Sequence, residues 1–212
     1  MITHHLNDTL LMAYSSGNLP EAFALVVASH ISLCDECRAR LESFDAVGGS
    51  LMEAAPSEPV AIDSFAAVMS RIGQSKAMPI PAPARKSAYP APLREYLPKD
   101  EAAIRWRSVG MGVRQAVLTN SKEASVRLLR IPAGCAVPDH GHHGMELTLV
   151  LKGAFRDEID RFGPGDIEIA DQDTHHTPVA EEGEDCICLT ATDAPLKFNS
   201  WLPKIAQPFL GI

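Results

Sequence analysis

Residues 28–40 read ASHISLCDECRAR, and they carry the strongest structural signal in the chain. They place His30, Cys34 and Cys37 in the pattern His-x3-Cys-x2-Cys. If the segment is helical, His30 and Cys34 share a face and Cys37 follows one turn later. Imidazole nitrogen and thiolate sulfur are ligands that Zn²⁺ accepts in tetrahedral sites, and a structural zinc site has four ligands. The pattern therefore predicts three ligands of a zinc site.

The fourth ligand can come from the pair His4-His5 near the start of the chain. Either imidazole would complete a Cys2His2 set, and the spacing does not choose between them. The alternative is a buried histidine beside two incidental reduced thiols. Because the 212 residues include only five cysteines, the metal site is the stronger interpretation.

The first 73 residues have the apolar spacing of helices, with capping residues before the segments and glycine after them. The expected helices run from Asn7 or Asp8 to Gly17, over 20–33, from about Asp35 to the weakening pair Gly48-Gly49, and over Ser64–Ile72. We therefore predict an all-α module at the start of the chain.

A proline-rich stretch follows the helical module. Eight of the sixteen prolines lie between Pro56 and Pro98, and residues 78–92 read MPIPAPARKSAYPAP. Such a segment cannot donate regular backbone hydrogen bonds, so we expect an extended, semi-rigid linker that separates two domains. The predicted division is a helical domain over 1–73, a linker over 74–98 and a second domain over 99–212.

The second domain has short β-like runs separated by glycine and proline. These runs cover 113–118, 125–131, 146–151, 154–159, 166–170 and 186–191. This spacing favours an all-β antiparallel sandwich or barrel.

A second ligand cluster lies in this β region. His140 and His142 alternate on an extended segment and point to one side, and Glu146 begins the next predicted strand. Two imidazoles and a carboxylate suit Zn²⁺, Mn, Fe or Ni, and a further histidine would complete the set. His143 is expected to face away.

The pattern Gly134-x5-His140-x-His142-x3-Glu146-x6-Gly153 resembles the first cupin motif at every fixed position. The segment from Gly165 to Ala180, which includes His176, resembles the second motif, with departures at Asp171, Asp173 and Ala180. The resemblance implies a double-stranded β-helix, or jelly-roll barrel. Spacing favours His176 as the fourth ligand, and His175 is the competitor.

The remaining cysteines have no assigned role. Cys186 and Cys188 are expected on one face of a strand, where a disulfide between them is poorly placed and buried thiols are the simpler interpretation. Cys135, which lies just before the first cupin motif, could sense oxidants if it is exposed.

Charge and composition narrow the range of possible functions. The formal net charge is −8, and residues 1–73 contain nine acidic and three basic side chains, which argues against direct binding to nucleic acid. We find neither a secretory signal nor an apolar run long enough to span a membrane. With cysteines at metal spacing, these features predict a cytoplasmic protein without a membrane partner.

The pattern of His5, His30, Cys34 and Cys37 is similar to that of the zinc-binding anti-sigma family, and the whole chain resembles its ChrR-type branch. Segments 28–40 and 138–151 carry the resemblance, which extends over nearly all residues. It implies Zn²⁺ on these four residues and a divalent metal on His140, His142, Glu146 and His176. It further implies a 1:1 complex between the helical domain and an extracytoplasmic-function sigma factor, with the cupin helping release during singlet-oxygen stress.

Two other functions fit parts of the sequence. One is a metal-dependent cupin enzyme, of the dioxygenase or isomerase type, with an accessory zinc domain. The other is a DNA-binding zinc module, which the acidic charge of residues 1–73 disfavours. A helical zinc domain has no evident catalytic use, so we expect a transcriptional regulator rather than an enzyme.

Overall fold

The computed structural model describes residues 1–74 and 87–198. The first part is helical, as the sequence predicts. Its helices are α1 (Asp8–Ser15), α2 (Glu21–Ile31), α3 (Asp35–Ala54) and α4 (Ser64–Gln74). Asn7 caps α1, because its side chain accepts a hydrogen bond from the backbone N–H of Leu10 at 2.9 Å.

The third helix is longer than its sequence suggests. Gly48 and Gly49 lie inside α3 rather than at its end. Glycine costs a helix about 1 kcal/mol relative to alanine, and the helix tolerates this pair and continues to Ala54.

The second part is an antiparallel β structure. Its strands are β1 (Arg107–Gly110), β2 (Val113–Asn120), β3 (Ser125–Ile131), β4 (His140–His142), β5 (Glu146–Lys152), β6 (Phe155–Arg156), β7 (Arg161–Phe162), β8 (Ile167–Ala170), β9 (His175–His176), β10 (Val179–Ala180), β11 (Cys186–Thr192) and β12 (Leu196–Phe198). They form a six-stranded sheet in the order β1-β2-β3-β11-β5-β8 and two three-stranded sheets, β10-β6-β7 and β12-β4-β9. The predicted all-β antiparallel architecture is confirmed.

Strand lengths differ most from the sequence-based expectation over 154–159. The run 154–159 contains only the two-residue strand β6, because the chain turns at Asp157, whose Oδ1 accepts from the N–H groups of Ile159 and Asp160 at 2.8 and 3.0 Å. The two-residue strands β7, β9 and β10 were not predicted, since two residues are too few to show a period.

The helical and β parts pack directly against each other. Helix α2 lies on β3, β5 and β11, and its buried Val26 and Val27 share one core cluster with Leu147, Leu149 and Leu189 of the sheet. The sheet therefore covers the apolar surface of α2, and the two parts share one core.

The described part of residues 74–98 is not wholly extended. A short helix, α5 (Ala91–Arg94), packs against α2, and Leu93 is completely buried. Residues 75–86, about half of the predicted linker, lie outside the described residues. A search of the described ranges finds no helix that is both long and apolar enough to cross a membrane.

Candidate metal centres

The structure brings the four residues of the first cluster together. One ligand atom from each of His5, His30, Cys34 and Cys37 lies within 4.8 Å of the others. His5 Nδ1 is 3.3 Å from Cys34 Sγ and 3.7 Å from Cys37 Sγ, and His30 Nε2 is 3.3 Å from Cys37 Sγ. Two imidazole nitrogens and two sulfurs are a donor set suited to Zn²⁺. We call these four residues the N-terminal cluster.

The local structure that produces this cluster differs from the predicted one. His30 lies in the last turn of α2, but Cys34 follows the end of that helix and caps α3, with its Sγ 3.4 Å from the backbone N of Cys37. His30 and Cys34 therefore do not share a helical face. They approach because the chain reverses between the two helices.

The pair His4-His5 is divided between two environments. His5 faces the thiols, whereas the ring of His4 packs on Phe162 at a centroid distance of 4.3 Å and lies beside Asp160 and Asp166. Of the two candidates that the sequence left open, the geometry favours His5.

Neighbouring groups set the protonation of this cluster. The carbonyl of Gly165 accepts a hydrogen bond from His30 Nδ1 at 3.0 Å, which leaves Nε2 to face the sulfurs. Burial lowers the pKa of His30 to about 4, so its imidazole is neutral at pH 7, as a metal ligand must be. Glu36 Oε2 lies 3.3 Å from His5 Nε2 and orients the second imidazole.

A second cluster forms at one end of the β structure. Ligand atoms of His140, His142, Glu146 and His176 all lie within 4.8 Å of one another, and all four residues are buried. His176 Nε2 is 3.2 Å from both His140 Nε2 and His142 Nε2. Strand β4 supplies the first two histidines, and β9 pairs with it in a register that sets His140 opposite His176. We call these residues the cupin cluster.

Hydrogen bonds direct the Nε2 atoms of this cluster inward. His140 Nδ1 donates to the carbonyl of Pro138 at 2.8 Å, and His176 Nδ1 lies 2.8 Å from Glu168 Oε1. When Nδ1 carries the proton, the lone pair of Nε2 is free to bind a cation. Several Nε2 lone pairs that point at one another repel, and a cation shared between them removes this repulsion. The donor chemistry therefore fits a divalent metal.

The acid of the cupin cluster, Glu146, is buried. Burial raises the pKa of Glu146 to about 7, and Thr148 Oγ1 donates to its Oε1 at 3.1 Å. A cation beside Glu146 would favour its charged form, because an opposite charge at short range outweighs desolvation.

The competing histidines are placed elsewhere. His175 and His143 are exposed, whereas His176 is 1 % exposed. Neighbouring residues of a strand point to opposite faces, so only one of His175 and His176 can face the cluster.

Two acidic residues at this site were missed by the sequence analysis. Glu168 and Asp157 both approach His176 Nδ1, at 2.8 and 3.2 Å, and form a third group of ligand-type side chains with it. The sequence did contain a signal for Glu168, because a carboxylate between two isoleucines of the apolar strand β8 is unusual unless it has a partner.

The C-terminal cysteines are free thiols on one face of β11. Cys186 Sγ and Cys188 Sγ are 3.5 Å apart and buried. Cys188 also lines a small cavity that borders the cupin cluster, while Cys135 is half-buried.

The comparisons with known proteins agree with this arrangement. The family model for the ChrR cupin-like domain matches residues 97–195. The chain is 61% identical to the anti-sigma-E factor ChrR of Cereibacter sphaeroides, over 100% of this chain and 99% of the relative. It is also similar to a chain in the crystal structure of Rhodobacter sphaeroides SigE in complex with the anti-sigma ChrR. That match has a TM-score of 0.81 and 57% identity, and covers 91% of this chain and 100% of the other.

These observations place the chain in a class of regulatory proteins that join a helical domain to a cupin domain. Within that class the chain belongs to the ChrR family of anti-sigma factors. The curated relative is a regulator rather than an enzyme, which agrees with the expectation of a non-enzymatic function.

Proposed function

We propose that this chain is an anti-sigma factor that sequesters an extracytoplasmic-function sigma factor through residues 1–73. The observation that carries the proposal is the 61% identity over the whole chain to the anti-sigma-E factor ChrR. The likeness to a chain solved in complex with SigE supports the same partner class.

The surface of α4 supports a docking role. Phe65, Val68, Met69 and Ile72 recur at helical spacing and are 78, 51, 50 and 60 % exposed. No residue of α4, all of which the structure describes, is buried. An apolar stripe without cover within the described chain is typical of a protein–protein interface. We name these four residues the α4 stripe and assign the sigma factor to it.

The end of α3 carries further exposed apolar side chains. Val47, Leu51 and Met52 are 60, 69 and 80 % exposed. Residues 1–73 also carry an acidic excess that suits a basic partner surface. Sequestration by this region would cover surfaces that the sigma factor needs for polymerase.

The two clusters have separate proposed roles. We assign Zn²⁺ to His5, His30, Cys34 and Cys37, where it would stabilise a helical domain with a small core. We assign one divalent metal, Zn²⁺, Mn, Fe or Ni, to the cupin cluster. The cupin domain, over 99–212, helps to release the sigma factor in response to singlet oxygen, and 74–98 connects the domains.

Binding of R. sphaeroides SigE tests the docking surface. Phe65→Asp with Met69→Asp should weaken co-purification at least 100-fold, because two charges would be buried in an apolar contact. Ala67→Asp is the matched control, since Ala67 is exposed on the opposite face of α4, and it should bind like the wild type. Equal binding by the double variant and the control would overturn the assignment.

A further inference from the structure

One loop of the β domain contacts both histidine-bearing parts of the N-terminal cluster. His30 Nδ1 donates to the carbonyl of Gly165 at 3.0 Å. Asp166, the residue after Gly165, holds the segment that leads to His5. The backbone N–H groups of Thr3 and His4 donate to Asp166 Oδ1 at 2.6 and 3.0 Å. We name residues 163–166 the clamp loop.

Asp166 is shaped for this contact. It is only 4 % exposed, and its second oxygen accepts from the backbone N–H of Gly163 at 2.8 Å. Burial raises the pKa of Asp166, but hydrogen bonds from the N–H groups of Thr3, Gly163 and His4 outweigh it, and the net pKa is lowered. The carboxylate is therefore charged at pH 7 and accepts three backbone hydrogen bonds.

The clamp loop also adjoins the second cluster. It leads directly into β8, whose Glu168 contacts His176 Nδ1 at 2.8 Å. The N–H of Gly165 donates to the carbonyl of Val150 at 2.8 Å, which fixes the loop to β5. Outer contacts of both clusters thus lie within residues 163–168.

We infer that Asp166 is a positioning residue for zinc in the N-terminal cluster, because it fixes the segment that presents His5. This inference rests on the proposed zinc site. It makes the β domain part of the outer shell of that site, so a movement of the clamp loop would loosen zinc. Outer-shell partners of metal ligands typically change metal affinity about 10- to 100-fold when they are mutated.

The test is zinc retention by the full-length chain against a chromogenic chelator. Asp166→Asn should lower zinc affinity about 10-fold or more, because in either orientation the amide sets a donor against a backbone N–H. Asp160→Asn is the matched control. Asp160 contacts the ring of His4 at 3.2 Å but is exposed. Among the hydrogen bonds of the described residues, it makes none to the backbone of Thr3 or His4. The zinc affinity of this variant should therefore stay within about twofold of the wild type.

A second variant separates positioning from general destabilisation. Thr3→Pro removes one of the clamped N–H groups and leaves the β domain unchanged, so it should also weaken zinc while the cupin cluster keeps its metal. Its effect should not add to that of Asp166→Asn, since both act through one contact. Cobalt substitution provides a spectroscopic check, because the thiolate-to-metal band should change in both variants.

Three results would overturn the inference. The first is unchanged zinc affinity in folded Asp166→Asn protein. The second is loss of both metals in Asp166→Asn with normal zinc in Thr3→Pro, which would show general destabilisation. The third is a wild-type chain that binds no zinc at the N-terminal cluster, which would contradict the proposed zinc site itself and the inference with it.

Discussion

His5 Nδ1 lies 3.3 Å from Cys34 Sγ, although the two residues are 29 positions apart. The contact joins the extended start of the chain to the turn between α2 and α3. A metal shared by these atoms would tie the start of the chain and α2 to α3, which buries only Cys37 and Leu41. The helical domain should therefore depend on zinc.

Replacement of both cysteines tests this dependence. Cys34→Ala with Cys37→Ala should remove one zinc per chain and lower helicity, because binding of structural zinc contributes about 10 kcal/mol or more to folding. Zinc content and far-ultraviolet circular dichroism measure the two effects. Cys135→Ala is the control, since this half-buried cysteine lies outside both clusters. Unchanged zinc and helicity in the double variant would contradict the zinc site.

Most members of the two candidate metal clusters were predictable from spacing, but their geometry was not. His30, Cys34 and Cys37 converge as the pattern suggests, yet the route is a turn and a helix cap rather than one helical face. Motif spacing predicts which residues come together. It does not predict the backbone conformation between them, because that depends on where α2 ends.

The packing of the two halves was missed although the sequence contained a signal. Helix α2 buries Phe23, Leu25, Val26 and Val27, which point in several directions around its axis. A helix that is apolar all round is a buried helix, so α2 required a second cover beyond α1 and α3. The sequence does not state which surface provides that cover, and here it is the cupin sheet.

Truncation separates binding from this packing. A fragment of residues 1–73 should still bind SigE, because the α4 stripe lies within it. It should melt at a lower temperature than the full chain, since removal of the sheet exposes Val26 and Val27, which are fully buried in the intact protein. Co-purification and thermal melting measure these effects. A folded fragment that cannot bind SigE would place essential contacts in the cupin domain.

The choice between adjacent histidines can be tested by metal content. His176→Gln should remove the metal of the cupin cluster, because Nε2 of His176 is 3.2 Å from two other imidazole nitrogens. His175→Gln should retain it, since His175 is exposed. Elemental analysis of both proteins decides the matter, and loss of metal in the His175 variant alone would reverse the assignment.

The cupin cluster should matter for release rather than for binding. His140→Ala with His142→Ala should leave SigE affinity within about threefold, because the α4 stripe is untouched. Induction of a SigE-dependent promoter by light and photosensitiser should fall at least fivefold relative to the wild-type strain. His143→Ala is the control, as this neighbour is exposed. Normal induction by a protein that lacks the cupin metal would argue against a role in sensing.

Transcription in a purified system tests sequestration most directly. RNA polymerase supplied with SigE should be titrated with the zinc-loaded full-length chain and, in parallel, with the Phe65→Asp, Met69→Asp variant. The account predicts that promoter activity falls to baseline at one chain per SigE, and that the variant inhibits only at large excess. Full activity in the presence of excess folded wild-type chain would contradict it.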